Sequence, residues 1–256
     1  MTLFNYASQV ATAQATKQAI EKITISKPDL TVEQAYEIQK ISIEQTLTAA
    51  NRFIGWKMGL TSVAKQQQVG VNSPIYGRLT SSMNLTKNEL TAAEYIHPRV
   101  EAEVAFVFKK ALFGANLTPL DVWDAVESVY LALEVIDSRY QNFSFTLPDV
   151  IADNASSTKI LLSAQAFSAY ALDWSAVEVT LKLNGEDKLF GQGAAVLGHP
   201  IYSVIELLTM LAREGRGISP GQLVLTGGIT DAIAVEAGDV IEADYGALGK
   251  LTLNVK

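Results

Sequence analysis

An α+β fold, with a mixed sheet behind an N-terminal helical region, is predicted by three observations. Apolar residues recur at helical spacing through the first fifty positions, the period shortens to two near residue 100, and an Asn184-Gly185 turn with scattered glycines punctuates the later strands. Strands and helices do not alternate in even βαβ units, which argues against a doubly wound sheet. With 256 residues and no composition break, a helical region 1–50 and a second region 51–256 are expected to form one integrated unit.

Alanines and scattered apolar residues, with Lys17, Glu21 and Lys22, predict a helix over residues 6–25. A second starts at Thr31, whose hydroxyl caps it while Gln34 takes the capping-box position, and Ile41, Ile43, Leu47 and Ala50 continue it. Both are expected to be scaffold or oligomer contacts. In the centre, Val100, Ala102, Val104, Phe106 and Phe108 share one strand face, and Glu101, Glu103, Ala105 and Val107 the other. A helix over 120–130, beginning near Thr118, then runs into a strand at 131–136. Val177, Val179, Leu181 and Leu183 alternate before Asn184-Gly185, a hairpin signal. An apolar helical pattern covers 201–211, and short strands are expected at 223–225, 240–243 and 251–255.

The balance of 20 basic against 27 acidic side chains, a formal charge of -7, offers no basic footprint for nucleic acid. Cysteine is absent, which excludes disulfides, thiolate nucleophiles and zinc-thiolate sites. The opening Met1-Thr2-Leu3-Phe4-Asn5 does not resemble a secretory signal, and no stretch reaches membrane-spanning length free of polar residues. A cytoplasmic protein with no nucleic-acid or membrane partner is therefore expected.

Carboxylates inside apolar strands carry the chemistry. Glu101 and Glu103 point the same way, as two ligands of one ion require, and Glu134 sits amid Leu131, Ala132, Leu133, Val135 and Ile136. The glutamates can instead lie on a wet sheet face or pair with Arg99, Lys109 and Arg139. A buried carboxylate needs a partner, and an all-oxygen set suits Mg²⁺ or Mn²⁺ better than structural zinc. Lys57, between Trp56 and Met58, is either desolvated with a lowered pKa and fit for proton transfer, or snorkels from an apolar wall. Thr61-Ser62 suits a turn that offers amides and hydroxyls to an anion, and Thr226-Gly227-Gly228 either binds substrate or is a structural turn. His97 is read as structural, and His199 as a cap for the following helix. The run 191–198 lacks GxGxxG spacing and is read as close backbone packing.

Six ordered motifs carry a resemblance. They are Gly55-Trp56-Lys57-Met58-Gly59-Leu60-Thr61-Ser62, Val100-Glu101-Ala102-Glu103, Ala132-Leu133-Glu134-Val135-Ile136-Asp137-Ser138-Arg139, Ala152-Asp153-Asn154-Ala155-Ser156, Gly193-Ala194-Ala195-Val196-Leu197-Gly198-His199-Pro200 and Asp244-Tyr245-Gly246-Ala247-Leu248-Gly249. Together the chain resembles the fumarylacetoacetate hydrolase superfamily, in its 2-oxo acid hydratase and decarboxylase branch. The resemblance implies a mixed β-sheet roll with an N-terminal helical elaboration, and makes 51–256 a metal-dependent catalytic domain. It implies Mg²⁺ or Mn²⁺ on Glu101, Glu103 and Glu134, Lys57 as the catalytic lysine, and Ser62, Arg78, Ser156 and Thr226 as substrate-binding residues. The stretches around Arg78 and Arg139-Tyr140 look more like decarboxylases than hydratases. Arg78 either recognises the second carboxylate of a diacid or makes an exposed salt bridge. The activity implied is decarboxylation of a small 2-oxo dicarboxylic acid, 2-oxo-3-hexenedioate, to 2-oxopent-4-enoate in aromatic meta-cleavage catabolism, with hydration of 2-oxopent-4-enoate as the alternative. A homo-oligomer and a complex with vinylpyruvate hydratase are implied as well.

Overall fold

Capping boxes at Thr2/Asn5 and Thr31/Gln34 start the two long N-terminal helices, α1 (Leu3–Thr16) and α3 (Val32–Glu44), on either side of a single turn, α2 (Ile23–Ser26). The computed structural model describes residues 1–62, 66–67, 71 and 73–256. The helix expected over 6–25 stops at Lys17, which turns left-handed at φ 59°. Tertiary pairing overrides the local pattern there, because Ile20 bridges to Tyr140. The second helix ends at Glu44, short of residue 50, where the Thr46 hydroxyl turns back to the Ile43 carbonyl at 2.7 Å.

Among the described residues fourteen strands follow: β1 (Phe53–Gly59), β2 (Ile75–Thr80), β3 (Glu89–Leu90), β4 (Arg99–Phe108), β5 (Leu112–Phe113), β6 (Val126–Ile136), β7 (Ser157–Leu162), β8 (Glu178–Leu183), β9 (Glu186–Gln192), β10 (Gly217–Ile218), β11 (Leu223–Leu225), β12 (Ile233–Ala234), β13 (Val240–Asp244) and β14 (Lys250–Val255). The larger sheet runs β2-β1-β11-β4-β6-β7 with β12 beside β4, and the second runs β3-β14-β13-β8-β9. β1 and β11 are parallel while β4 and β6 are antiparallel, so the mixed sheet of an α+β fold is present as expected. A helix begins at Thr118, near where it is expected and with Thr118 as its N-cap, but it covers Pro119–Ala125 and not 120–130. Val126 onward pairs with β4 instead, since the ladder satisfies backbone groups and buries Val129 in the core. The Asn184-Gly185 hairpin joins β8 to β9, with both residues at positive φ.

Val100, Ala102, Val104, Phe106 and Phe108 face the main core, which also takes Leu181, Ile241 and Leu253 from the second sheet. The opposite face of β4 bears the two glutamates. A separate cluster ties Tyr6, Val10 and Ile38 of the N-terminal helices to Tyr140, Val150, Ile151 and Ala155. Those helices therefore brace the segment that closes the site described below. The helix Pro200–Arg213 is N-capped by His199, whose Nδ1 accepts the Ile201 N–H at 2.9 Å. Gly193–Arg213 is long and apolar enough by composition to cross a membrane, although it is not free of polar residues, carrying His199, Ser203, Glu206 and Thr209. Val204, Leu207, Leu208 and Leu211 instead pack in the core. Close packing also explains the 191–198 glycines, because a Cβ on Gly193 would lie 2.0 Å from the Trp174 carbonyl oxygen.

Candidate metal centre and substrate cavity

Period-two geometry and one cross-strand pair assemble the centre. Glu101 and Glu103 project from one face of β4, and Glu101 sits directly opposite Glu134 on β6. One oxygen from each of the three lies within 4.8 Å of the others, and all three residues are buried. Burying charges at this density costs several kcal/mol per ion, about 3–5 once a partner is missing. The wet-face alternative is thus excluded.

Neighbouring groups hold two of the carboxylates in place. The Ser157 hydroxyl donates to Glu134 Oε1 at 2.8 Å, and the Gly227 N–H to Glu103 Oε2 at 2.9 Å. From beneath, the Tyr245 hydroxyl donates toward the carbonyls of Glu103 and Ala132, at 2.7 and 3.0 Å. Burial first, then Glu134 and Glu101, push the Glu103 carboxyl well above its ordinary value. Glu134 is raised mainly by burial, with Lys57 opposing.

Lys57 lies on β1 with its Nζ 2.9 Å from Glu134 Oε2 and 3.2 Å from the Ala155 carbonyl. Burial pulls its pKa down, as expected, but Glu134, Glu101 and Glu103 outweigh that and leave it raised. The lysine is therefore the cation that the described residues bring to the carboxylates, not a neutral amine.

The segment that meets Lys57 is strained. Asn154, Ala155 and Ser156 have φ of 54°, 52° and 56°, a left-handed run without glycine that costs about 1–2 kcal/mol per residue. Side chains hold it. Asn154 Nδ2 donates to the Arg78 carbonyl at 2.9 Å, and its Oδ1 accepts the Arg78 N–H at 2.7 Å. Arg139, fully buried, clasps Asp153 through its Nε and the Asp153 carbonyl, and donates to the carbonyl of Asp137 at 2.7 Å. Burial raises Asp153 to about 6 even so.

These groups open on a cavity of about 590 Å³ whose lining includes Lys57, Glu101 and Ser156 together with Leu60, Phe143 and Phe145. Ser156 lines this cavity, and its hydroxyl donates to Asp153 Oδ2 at 3.1 Å. Ser62 is half-buried beyond the wall, to which its stretch contributes Lys57, Gly59 and Leu60 among the described residues. Thr226 is displaced from its expected role. It is buried with its hydroxyl 3.1 Å from the Val104 carbonyl, and the turn serves the site through the neighbouring Gly227 amide.

Arg78 also departs from expectation. Alternation on β2 pairs Gly77 with Lys57 and Arg78 with Trp56, so the guanidinium emerges on the opposite face. It stacks over Trp56 and Tyr76, bonds Gln39, and lies 3.6 Å from Glu214. There it lines a separate cavity of about 520 Å³. Arg99, considered from sequence only as an ion-pair partner, is the arginine that lines the metal-side cavity.

The donor set fits a hard divalent cation. Three carboxylates converge, and Glu103 Oε1 is buried without a hydrogen-bond partner, so a ligand atom is left over for an ion. Gly227 tests that support. At φ 108° its added Cβ would fall 2.1 Å from Thr61 Oγ1, so Gly227→Ala is expected to cost about 1–3 kcal/mol and to weaken magnesium binding as the Glu103 clamp shifts. Thermal melts and a magnesium titration check this, and an unchanged affinity would detach the clamp from the metal site.

Comparisons with known proteins converge on one family. Residues 54–256 match the family described as fumarylacetoacetate (FAA) hydrolase, C-terminal. The chain is similar to a 4-oxalocrotonate decarboxylase of Pseudomonas putida, 40% identical over 247 residues that cover 96% of this chain and 94% of that protein. It is also similar to a 2-keto-4-pentenoate hydratase of Paraburkholderia xenovorans (strain LB400), 37% identical over 225 residues, 88% of this chain and 84% of that one. The solved 4-oxalocrotonate decarboxylase from Pseudomonas putida G7, complexed with magnesium and adipate, matches with a TM-score of 0.96 at 38% identity, covering 99% of this chain and 97% of that one.

Proposed function

The chain belongs to the fumarylacetoacetate hydrolase family, and from that premise we propose that it is a carboxy-lyase acting on 4-oxalocrotonate (2-oxo-3-hexenedioate). The products are carbon dioxide and 2-oxopent-4-enoate. The observation that carries this is the three-glutamate cluster with its unpartnered Glu103 oxygen, set beside Lys57 at a cavity whose lining includes Leu60, Phe143 and Phe145.

Glu101, Glu103 and Glu134 would hold Mg²⁺ or Mn²⁺, which supplies a Lewis acid for the 2-oxo acid end of the substrate. The C5–C6 bond then breaks, its electron pair moves through the conjugated chain to the 2-oxygen, and C6 leaves as carbon dioxide. Two of the three Lys57 donors are engaged by Glu134 and Ala155, and the third is left to hold or deliver a proton at that oxygen. Leu60, Phe143 and Phe145 supply apolar lining against which the unsaturated carbon chain can rest. Ser156 and Ser62 are retained as substrate-side hydroxyls in this proposal. It extends to a homo-oligomer and to contact with the hydratase that would consume the product, both on the family resemblance.

The decisive assay gives magnesium-loaded protein 4-oxalocrotonate and, separately, the enol of 2-oxopent-4-enoate, with carbon dioxide and hydrated product measured apart. Carbon dioxide from the first and no hydration of the second is the expected result. Hydration without carbon dioxide release would transfer the assignment to the hydratase.

A further inference from the structure

We infer that Arg99 receives the second carboxylate of the substrate and sets the preference for a diacid, an assignment that rests on the proposal that this cavity takes a 2-oxo dicarboxylic acid. Arg99 stands two residues before Glu101 on β4, so the two side chains share a face about 6.8 Å apart along the strand. One end of a six-carbon chain can thus sit at the glutamate cluster while the other reaches the guanidinium. Both residues line the same cavity.

The guanidinium is prepared for such a ligand. Its Cζ lies 4.2 Å over the Phe143 ring, which fixes the plane and leaves the edge N–H groups for an in-plane acceptor. Among the described residues it has no carboxylate partner, and no ion pair joins it to Asp231 on the same wall. Lys57, the other described cation of that wall, is already paired with Glu134. Arg78 faces the other cavity. A dianionic substrate tied to the glutamate end would leave its distal carboxylate uncompensated beside Phe143, and Arg99 supplies the matching charge.

Chemistry fixes what kind of effect to expect. The ion pair exists with the carboxylate before reaction and is lost as neutral carbon dioxide forms, so it contributes to ground-state binding and not to the barrier. Arg99→Gln should therefore raise KM for the 2-oxo diacid roughly 10- to 100-fold with kcat unchanged or higher.

The binding test needs no turnover. Magnesium-loaded wild type, Arg99→Gln and Arg99→Lys are titrated calorimetrically with adipate, a six-carbon diacid, and hexanoate, its monoacid counterpart. Magnesium affinity and thermal melts confirm that each variant is folded with its centre intact. Wild type should prefer adipate, Arg99→Gln should lose roughly 10-fold or more for adipate alone, and Arg99→Lys should recover only part because the planar fork is gone. An Arg99→Gln protein that keeps the wild-type preference overturns the role of Arg99 and leaves the diacid proposal standing. A wild type with no preference overturns both.

Discussion

A Glu103→Gln chain is expected to lose divalent-cation binding by about 100-fold or more, and turnover with it, while its metal-free form melts higher than metal-free wild type. Both effects have one cause. Glu103 is wholly buried beside Glu101 and Glu134, and glutamine keeps its shape and the acceptor for Gly227 while removing a like charge. The pH dependence follows from the raised Glu103 carboxyl. A group whose folded pKa exceeds its unfolded value contributes stability that is full below the ordinary 4.5 and is lost as pH rises through the folded value. Metal-free wild type should weaken as pH climbs above that range, Glu103→Gln should weaken less, and added magnesium should stabilise wild type increasingly at higher pH. Thermal melts across pH with and without magnesium measure all three. A variant that binds magnesium like wild type would remove Glu103 from the metal site.

Replacing Arg139 by methionine should cost about 3–5 kcal/mol of stability. The guanidinium is fully buried, and its removal strands the equally buried Asp153 carboxylate together with the carbonyls of Asp137 and Ser157. Asp153 already sits at about 6 with Arg139 present, and the bare carboxyl moves higher. The deficit should therefore shrink as pH falls and Asp153 takes up its proton. Adding Asp153→Asn to the variant should recover part of the lost stability, since no buried charge then remains. Activity should fall too, because the same segment delivers the Ala155 carbonyl to Lys57 and the Ser157 hydroxyl to Glu134. Denaturant melts of the single and double variants decide it, and a double variant no more stable than Arg139→Met would mean that the loss comes from packing instead.

Local chemistry made part of this site legible in advance. Glutamates two apart in an apolar strand, and a third inside another, can be recognised as co-facing because strand geometry has a fixed period. Thr31 and Thr118 announce their helices because a capping box is a contact within four residues. The misreadings are non-local. Residues 126–130 suit a helix until β4 offers them a ladder, and Arg78 changes face with the register of β1 against β2. Nothing in the letters of Asn154-Ala155-Ser156 signals three left-handed residues, since that conformation is imposed by Arg139, Lys57 and the backbone of Arg78. Arg99 was visible as a charge, but its isolation from carboxylates is a property of the assembled wall.

The clasps around the centre join residues far apart in the chain. Lys57 meets Ala155 across 98 positions, Gly227 meets Glu103 across 124, and Tyr245 meets Glu103 across 142. On the ribosome, all three glutamates emerge long before the glycine and the tyrosine that secure them. The nascent chain carries its acidic strands through a large part of synthesis before the glycine after β11 and the tyrosine after β13 are made. The complete set of supports around the three glutamates therefore exists only once the C-terminal strands are in place.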